Sequence, residues 1–342
     1  MSVHLEIRNM IKRNLGGDIG VEVSSVGLGC MGMSDLYGPA DETEGIVTIR
    51  AALEAGVTLL DTGDYYGMGH NEMLIQQALR DIPRDKVILS VKFGAQRDPN
   101  GNWLGIDGHP NAVKNSLAYS LRRLKTDYID IYRLGRVDPK VPIEDTVGAI
   151  AEMISAGHLR YVGLSEAGVD TIRRAHQVHP VVDLQIEYSL MSRGIEKVIL
   201  PVCRELGIGI TAYGVLSRGL LSGHWSKERE LNRADFRAYA PRFSGDNLHK
   251  NLQIVETLQN VANSQSASVA QVAIAWVLSR GEDIVPLIGA RRRDQLAESL
   301  KAMDLSLSAE EISQIEAAVP LNAVAGERYP TQIMASMDSE DR

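Results

Sequence analysis

The chain has 342 residues, 44% of them hydrophobic and 23% charged, which is enough apolar material for a large core and argues against disorder. Its formal net charge of −8 excludes a polyanion bound across the whole surface, so nucleic acid is not an expected partner. Two cysteines, Cys30 and Cys203, make neither a disulfide framework nor a metal-ligand spacing, so no metal is expected and a reducing cytoplasm is the expected compartment.

Residues 5–23 are predicted to form a β-hairpin, with Asn14-Leu15-Gly16-Gly17-Asp18 as its turn. Short apolar runs then alternate with amphipathic ones. The predicted strands are Val26–Gly29, Val57–Asp61, Val87–Lys92, Tyr128–Leu134, Tyr161–Leu164, Val182–Glu187, Gly209–Tyr213 and Ile284–Ile288. Helices are predicted near 42–55, 71–80, 111–124, 144–156, 169–178, 195–206, 268–280 and 293–303. Asp41 and Ser268 read as N-caps, and Gly56, Gly157 and Gly207 as C′ glycines. The connection 214–266 is unusually long and carries its own helix near 248–263, and the tail 329–342 is polar. No apolar run approaches the roughly 20 residues of a membrane span, and Met1 to Arg13 lacks the apolar stretch of a signal peptide.

Eight strands alternating with eight helices predict a single (β/α)8 TIM barrel domain over 1–342. An open dinucleotide-binding sheet would need a Gly-x-Gly-x-x-Gly turn leading into a helix. Gly27-Leu28-Gly29-Cys30-Met31-Gly32 lacks that spacing, and Met33-Ser34-Asp35 follows instead of a helix.

In such barrels the functional side chains sit at the C-terminal strand ends. That places Asp61, Asp64, Tyr65, Tyr66, Lys92, Arg133, Gly135, Ser165, Glu166, Gln185, Glu187 and Tyr213 around one mouth. A tyrosine is a poor acid at neutral pH unless a cation stabilises its phenolate. Lys92 is suited to be that cation and Asp61 to aim it, which would let Tyr66 give a proton to a developing alkoxide. The competing reading is a structural ion pair beside a packed tyrosine. Gly289-Ala290-Arg291-Arg292-Arg293, opening the last helix, suits a phosphate, or is a solvated basic patch.

Asp61-Thr62-Gly63-Asp64-Tyr65-Tyr66-Gly67-Met68-Gly69-His70-Asn71-Glu72 resembles a signature of the aldo-keto reductases. So do Gly27–Met33, the stretch Ala212–Gly223 and Pro286–Arg291 with Gln295 and Leu296, in order along the chain. The resemblance implies NADPH held across the barrel mouth without a Rossmann motif, and reduction of an aldehyde or ketone. It implies Tyr66 as proton donor with Lys92 and Asp61. It further implies Ser165 and Gln185 at the nicotinamide amide with Glu166 beside them, and Tyr213 stacked on the ring. Met31, Gly32, Gly214, Leu216, Arg218 and Gly289 would also line the cofactor. Arg291 and Gln295 would lie toward the 2′-phosphate and adenine, and Ser299 stands where asparagine is frequent. No membrane or nucleic-acid partner is implied, and a monomer is the default.

The family's fourth catalytic group is a histidine at the end of strand 4, and this chain has Gly135 there, within Tyr132-Arg133-Leu134-Gly135-Arg136-Val137-Asp138. Losing one oxyanion donor costs on the order of 3 kcal/mol. Three readings follow: a pocket enlarged for a bulky ketone, Arg133 serving as the donor from the same strand face, or weak turnover. The last would make the chain an NADPH-binding regulatory or interaction subunit. Trp103 and Tyr65 are expected pocket walls, while His70 and His109 are expected at the surface. A hydrolytic barrel using Asp61 and Glu166 finds no support in the cofactor segments.

Overall fold

The structure, a computed structural model, describes residues 10–340 apart from 35, 227 and 234. Eight parallel strands close into a barrel in sequence order: β1 Gly27–Gly29, β2 Leu59–Gly63, β3 Ile88–Phe93, β4 Ile129–Leu134, β5 Leu159–Ser165, β6 Val181–Glu187, β7 Gly209–Tyr213 and β8 Ile284–Gly289. β8 pairs with β1 in the register Leu287↔Gly27, which leaves no sheet edge. The strands read as continuous apolar runs because helices cover their outer faces and packed side chains fill the interior.

The first nine helices agree with the periodicity in the sequence. The helices are α1 Glu42–Glu54, α2 His70–Ala78, α3 Pro110–Leu124, α4 Ile143–Ser155, α5 Val169–Val178 and α6 Ile199–Glu205, then α7 Gly245–Ser264, α8 Val269–Ser279, α9 Arg293–Leu300 and α10 Ala309–Ala318. Asp41 caps α1 by accepting from the Glu44 N–H, and Ser268 with Gln271 makes a capping box on α8. Gly56, Gly157 and Gly207 take φ of 93°, 84° and 69°, the left-handed geometry that a helix C′ position favours.

The N-terminal hairpin pairs Lys12–Leu15 with Val21–Ser24, a narrower span than 5–23; residues 5–9 of that expectation lie outside the described residues. It closes the bottom of the barrel, where fully buried Leu15 joins Leu59, Ile131, Val182 and Val285 in an apolar plug. The fit is tight: a Cβ on Gly209 would stand 2.5 Å from Leu15 Cδ2. The lowest layer of the barrel interior is therefore hydrocarbon.

Helix α10 was not read from the sequence, and neither were two further features. A second hairpin, Ala95–Arg97 with Trp103–Ile106, stands on the loop after β3, its turn built on Asp98-Pro99-Asn100-Gly101. The other is the path of the tail, whose residues 328–340 return to the barrel mouth. Among the described residues no helix is long and apolar enough to cross a membrane.

Candidate active site

A column of buried polar side chains rises through the upper barrel. Asp183 on β6 accepts from Thr211 and lies 3.1 Å from the Arg133 guanidinium. Arg133 donates to Ser90 Oγ at 2.8 Å, and Ser90 donates to Asp61 Oδ2 at 2.9 Å. Gln185 donates to the same oxygen at 2.6 Å, while Lys92 Nζ donates to Asp61 Oδ1 at 2.5 Å. Gly163 makes room for this column, since a Cβ there would meet Asp183 Oδ1 at 2.6 Å. Asp61 is therefore held by three donors and is aimed at Lys92.

That column corrects the reading of Arg133. Its side chain is fully buried a layer below the mouth, locked between Asp183 and Ser90, so it neither lines a substrate pocket nor swings up as a donor. Same-face spacing on β4 was correct, but two residues along a strand is also roughly one layer of depth. Ser90 and Asp183 were missed because a single serine and a single aspartate within apolar strands carry no motif.

Above the column, Lys92 Nζ lies 5.3 Å from the centre of the Tyr66 ring. Burial, opposed chiefly by the Asp61 charge, brings the Lys92 ammonium down to about 8. Tyr66 is presented by a turn in which Gly67, Met68 and Gly69 all take positive φ. Burial raises the Tyr66 hydroxyl well above its usual value, with the neighbouring Tyr65 and Asp61 adding to the rise and Arg136 opposing it. The two tyrosine rings meet edge to face, 4.9 Å between centres. Gly135 leads out of β4, its N–H bonded to the Phe93 carbonyl at 2.8 Å. Arg136 then folds back, donating to the Gly135 carbonyl at 2.7 Å and reaching Ser165 Oγ at 3.4 Å.

The C-terminal segment completes this rim. Arg328 makes a two-pronged pair with Glu166 at 3.0 and 2.9 Å and also faces Glu187. Tyr213 donates to Glu166 at 2.6 Å, and its hydroxyl lies 2.9 Å from that of Tyr329. The Tyr329 ring packs 4.2 Å from the Arg218 guanidinium, and Arg218 donates to the Arg328 carbonyl at 2.6 Å. Glu166 is fully buried with φ of 49°, an unusual conformation that these partners hold in place. Burial alone would raise its carboxyl, but Arg328, helped by Arg136 and Ser339, holds it far below the usual carboxylate range.

A second polar region lies along the β1–β8 side. Gly32 sits against Tyr37 and the Arg291 stem, and Gly289, at the end of β8, has open space where a Cβ would project. Gln295 accepts from the Arg291 N–H at 3.1 Å, while Ser299 is buried on the inner side of α9. Of the arginine triplet, Arg292 pairs with Asp294 and Arg293 with Glu44, while partly buried Arg291 donates to the Tyr37 and Pro39 carbonyls and, among the described residues, pairs with no carboxylate of its own. From the long connection, Arg237 pairs with Asp235, and Phe236 N–H bonds the Leu36 carbonyl at 2.8 Å, strapping that connection to the loop after β1. Burial lowers the Arg291 guanidinium, and the charges of Arg237, Arg292 and Arg229 lower it further, with Asp235 opposing. This excess of guanidinium over carboxylate is an environment that a phosphate relieves. Met31, Leu216 and Gly214 border the same mouth, on the turns after β1 and β7.

Trp103 lies on the second hairpin, on the loop after β3, and is 54% exposed. Beneath that hairpin a cavity of about 330 Å³ is lined by Asp64, Gln96, Asp107, His109 and Asn115. Burial first, then the Glu72 charge, raises the Asp64 carboxyl to about 7. The folded state therefore binds more protons than the unfolded state between about pH 4 and 7, and this group's contribution to stability falls as pH rises through that window. Asp64→Asn is expected to raise stability at pH 8 by roughly 1–2 kcal/mol, discounted because the cavity admits water, with little change at pH 4. Equal gains at both pH values in thermal melts would contradict this assignment.

The chain as a whole is similar to known proteins. The aldo/keto reductase family model matches residues 25–320. A probable aldo-keto reductase 1 of Glycine max is 43% identical over 316 residues, covering 92% of this chain and 90% of that protein. Among solved structures, a glycerol dehydrogenase from Gluconobacter oxydans superposes with a TM-score of 0.82 at 29% identity, covering 91% of this chain and 96% of the other. The holo form of an aldo-keto reductase from Bacillus halodurans gives 0.76 at 27% identity, over 97% and 100%.

Proposed function

This chain belongs to the aldo/keto reductase family, and from that premise we propose that it reduces an aldehyde or ketone to the alcohol with NADPH, Tyr66 donating the proton. Membership makes it an oxidoreductase of the carbonyl-reducing kind, using a nicotinamide cofactor. The observation that carries the finer reading is the buried Asp61–Lys92 pair set under the Tyr66 ring. A phenol in a dry site holds its proton too tightly to give it up. An ammonium fixed nearby by a carboxylate stabilises the phenolate left behind and lowers that barrier.

The residues present fit a phosphate-bearing dinucleotide. The guanidinium excess at Arg291, Arg237 and Arg229 would take its anionic end and favours NADPH over NADH, with Arg218 nearer the mouth. Ser165 and Gln185 would hold the amide of the nicotinamide, and Tyr213 its ring. When bound, NADPH supplies the hydride. The chain's own work is to seat the carbonyl oxygen against the Tyr66 hydroxyl, to exclude water with the strapped 214–244 connection, and to move one proton from that hydroxyl to the alkoxide. Glu166 accepts from Arg328, Tyr213 and Ser339 in this structure, so we assign it to positioning the C-terminal segment and Tyr213.

The partner is a small carbonyl compound. The protein is expected to act as a monomer in the cytoplasm, in keeping with two buried free cysteines. The test is NADPH oxidation followed at 340 nm against a panel of aldehydes and ketones, with Tyr66→Phe as control. Turnover that falls at least a thousandfold in the variant supports the reading. NADPH binding with no turnover of any carbonyl would favour a regulatory subunit instead.

A further inference from the structure

A carbonyl oxygen becoming an alkoxide has room for two hydrogen-bond donors, and Tyr66 supplies one. The space at position 135 points to the other. A Cβ built on Gly135 stands 2.9 Å from the Tyr65 hydroxyl oxygen and 3.1 Å from its Cε1. A Cβ on Gly63 would stand 3.3 Å from the same ring carbon. Two glycines, one leaving β4 and one ending β2, thus form the slot in which the Tyr65 phenol lies. Any side chain at 135 would collide with the Tyr65 hydroxyl.

We propose that Tyr65 is the second donor to the carbonyl oxygen, its phenol occupying the space that a side chain at position 135 would need. The inference rests on the reading of Tyr66 as proton donor. The Tyr65 ring meets that of Tyr66 edge to face, 4.9 Å between centres, and the two hydroxyls lie within hydrogen-bonding reach of each other. Arg136, anchored on the Gly135 carbonyl, carries a positive charge beside both. Burial raises the Tyr65 hydroxyl, so it stays protonated and able to donate across the working pH range. No bond to Tyr65 forms or breaks: Tyr66 loses the proton, and Tyr65 keeps its own while its hydrogen bond shortens onto the developing charge. Glycine at position 135 leaves the Tyr65 phenol its place.

The experiment compares wild type, Tyr65→Phe, Tyr66→Phe, Tyr65→Ala, Gly135→His and the double variant Tyr65→Ala/Gly135→His, with an activated aromatic aldehyde as probe. Phenylalanine keeps the ring and its packing and removes only the hydroxyl. Tyr65→Phe is expected to lower kcat on the order of a hundredfold, with KM within threefold and NADPH affinity by fluorescence titration unchanged. Gly135→His alone is expected to lower the thermal midpoint, because the new side chain meets Tyr65. The double variant regains at least tenfold in kcat over Tyr65→Ala, since imidazole then has both the space and a proton to donate. If Tyr65→Phe keeps kcat within twofold while Tyr66→Phe is inactive, Tyr65 has no such role and the function of Tyr66 stands. If Tyr66→Phe itself turns over normally, both assignments fall.

Discussion

Replacing Arg328 by alanine is expected to destabilise the protein by about 3–5 kcal/mol at pH 7, the cost of leaving a buried carboxylate without its partner. Glu166 is fully buried, and Arg328 is its two-pronged cation, with Glu187 close by. The sign of the pH dependence follows from the carboxyl. Glu166 is held below its unfolded value, so the folded state binds fewer protons, and the contribution is complete above about pH 4.5 and is lost on acidification. Urea unfolding at pH 7 and pH 4 checks this: wild type should lose stability on acidification, and Arg328→Ala should lose less because its deficit is already present. The double variant Glu166→Gln/Arg328→Met should recover most of the loss, since neutral side chains of similar size leave no stranded charge. A single variant as stable as wild type would mean that the C-terminal segment is only loosely attached to the rim.

The second large effect is at Lys92. Lys92→Met is expected to lower kcat by two to four orders of magnitude, because the Tyr66 phenolate loses the cation that stabilises it. In wild type the ammonium is brought down to about 8, so carbonyl reduction should hold below that pH and fall above it as the lysine becomes neutral. Stability should move the other way. The folded state binds fewer protons than the unfolded state between about pH 8 and 10.5, so this group's contribution to stability rises with pH across that window. Opposite trends of activity and stability, both absent from Lys92→Met, would identify one group as the source of each. A variant that kept both the rate and the alkaline limb would remove Lys92 from the chemistry.

The order of strands and helices was determined by the sequence alone, because each element is set by local rules. Apolar runs about five residues long lie between amphipathic segments, and Asp41, Ser268, Gly56 and Gly157 mark the ends of helices from their own neighbourhoods. The motif Asp61–Glu72 brought Tyr66 to the mouth because its glycines take the positive φ that the turn after β2 requires. Depth and distant partnership were decided only by the tertiary structure. Arg133 and Gly135 share a strand face, yet one lies within the barrel's polar column and the other at the rim. Trp103 stands exposed on the hairpin after β3, and Arg328 finds Glu166 across 162 positions of chain. The slot that joins Tyr65 to Gly135 belongs to the same class. Alternation and capping are short-range and written in adjacent residues, whereas a buried charge or a filled void takes its partner from wherever the closed barrel brings a strand end.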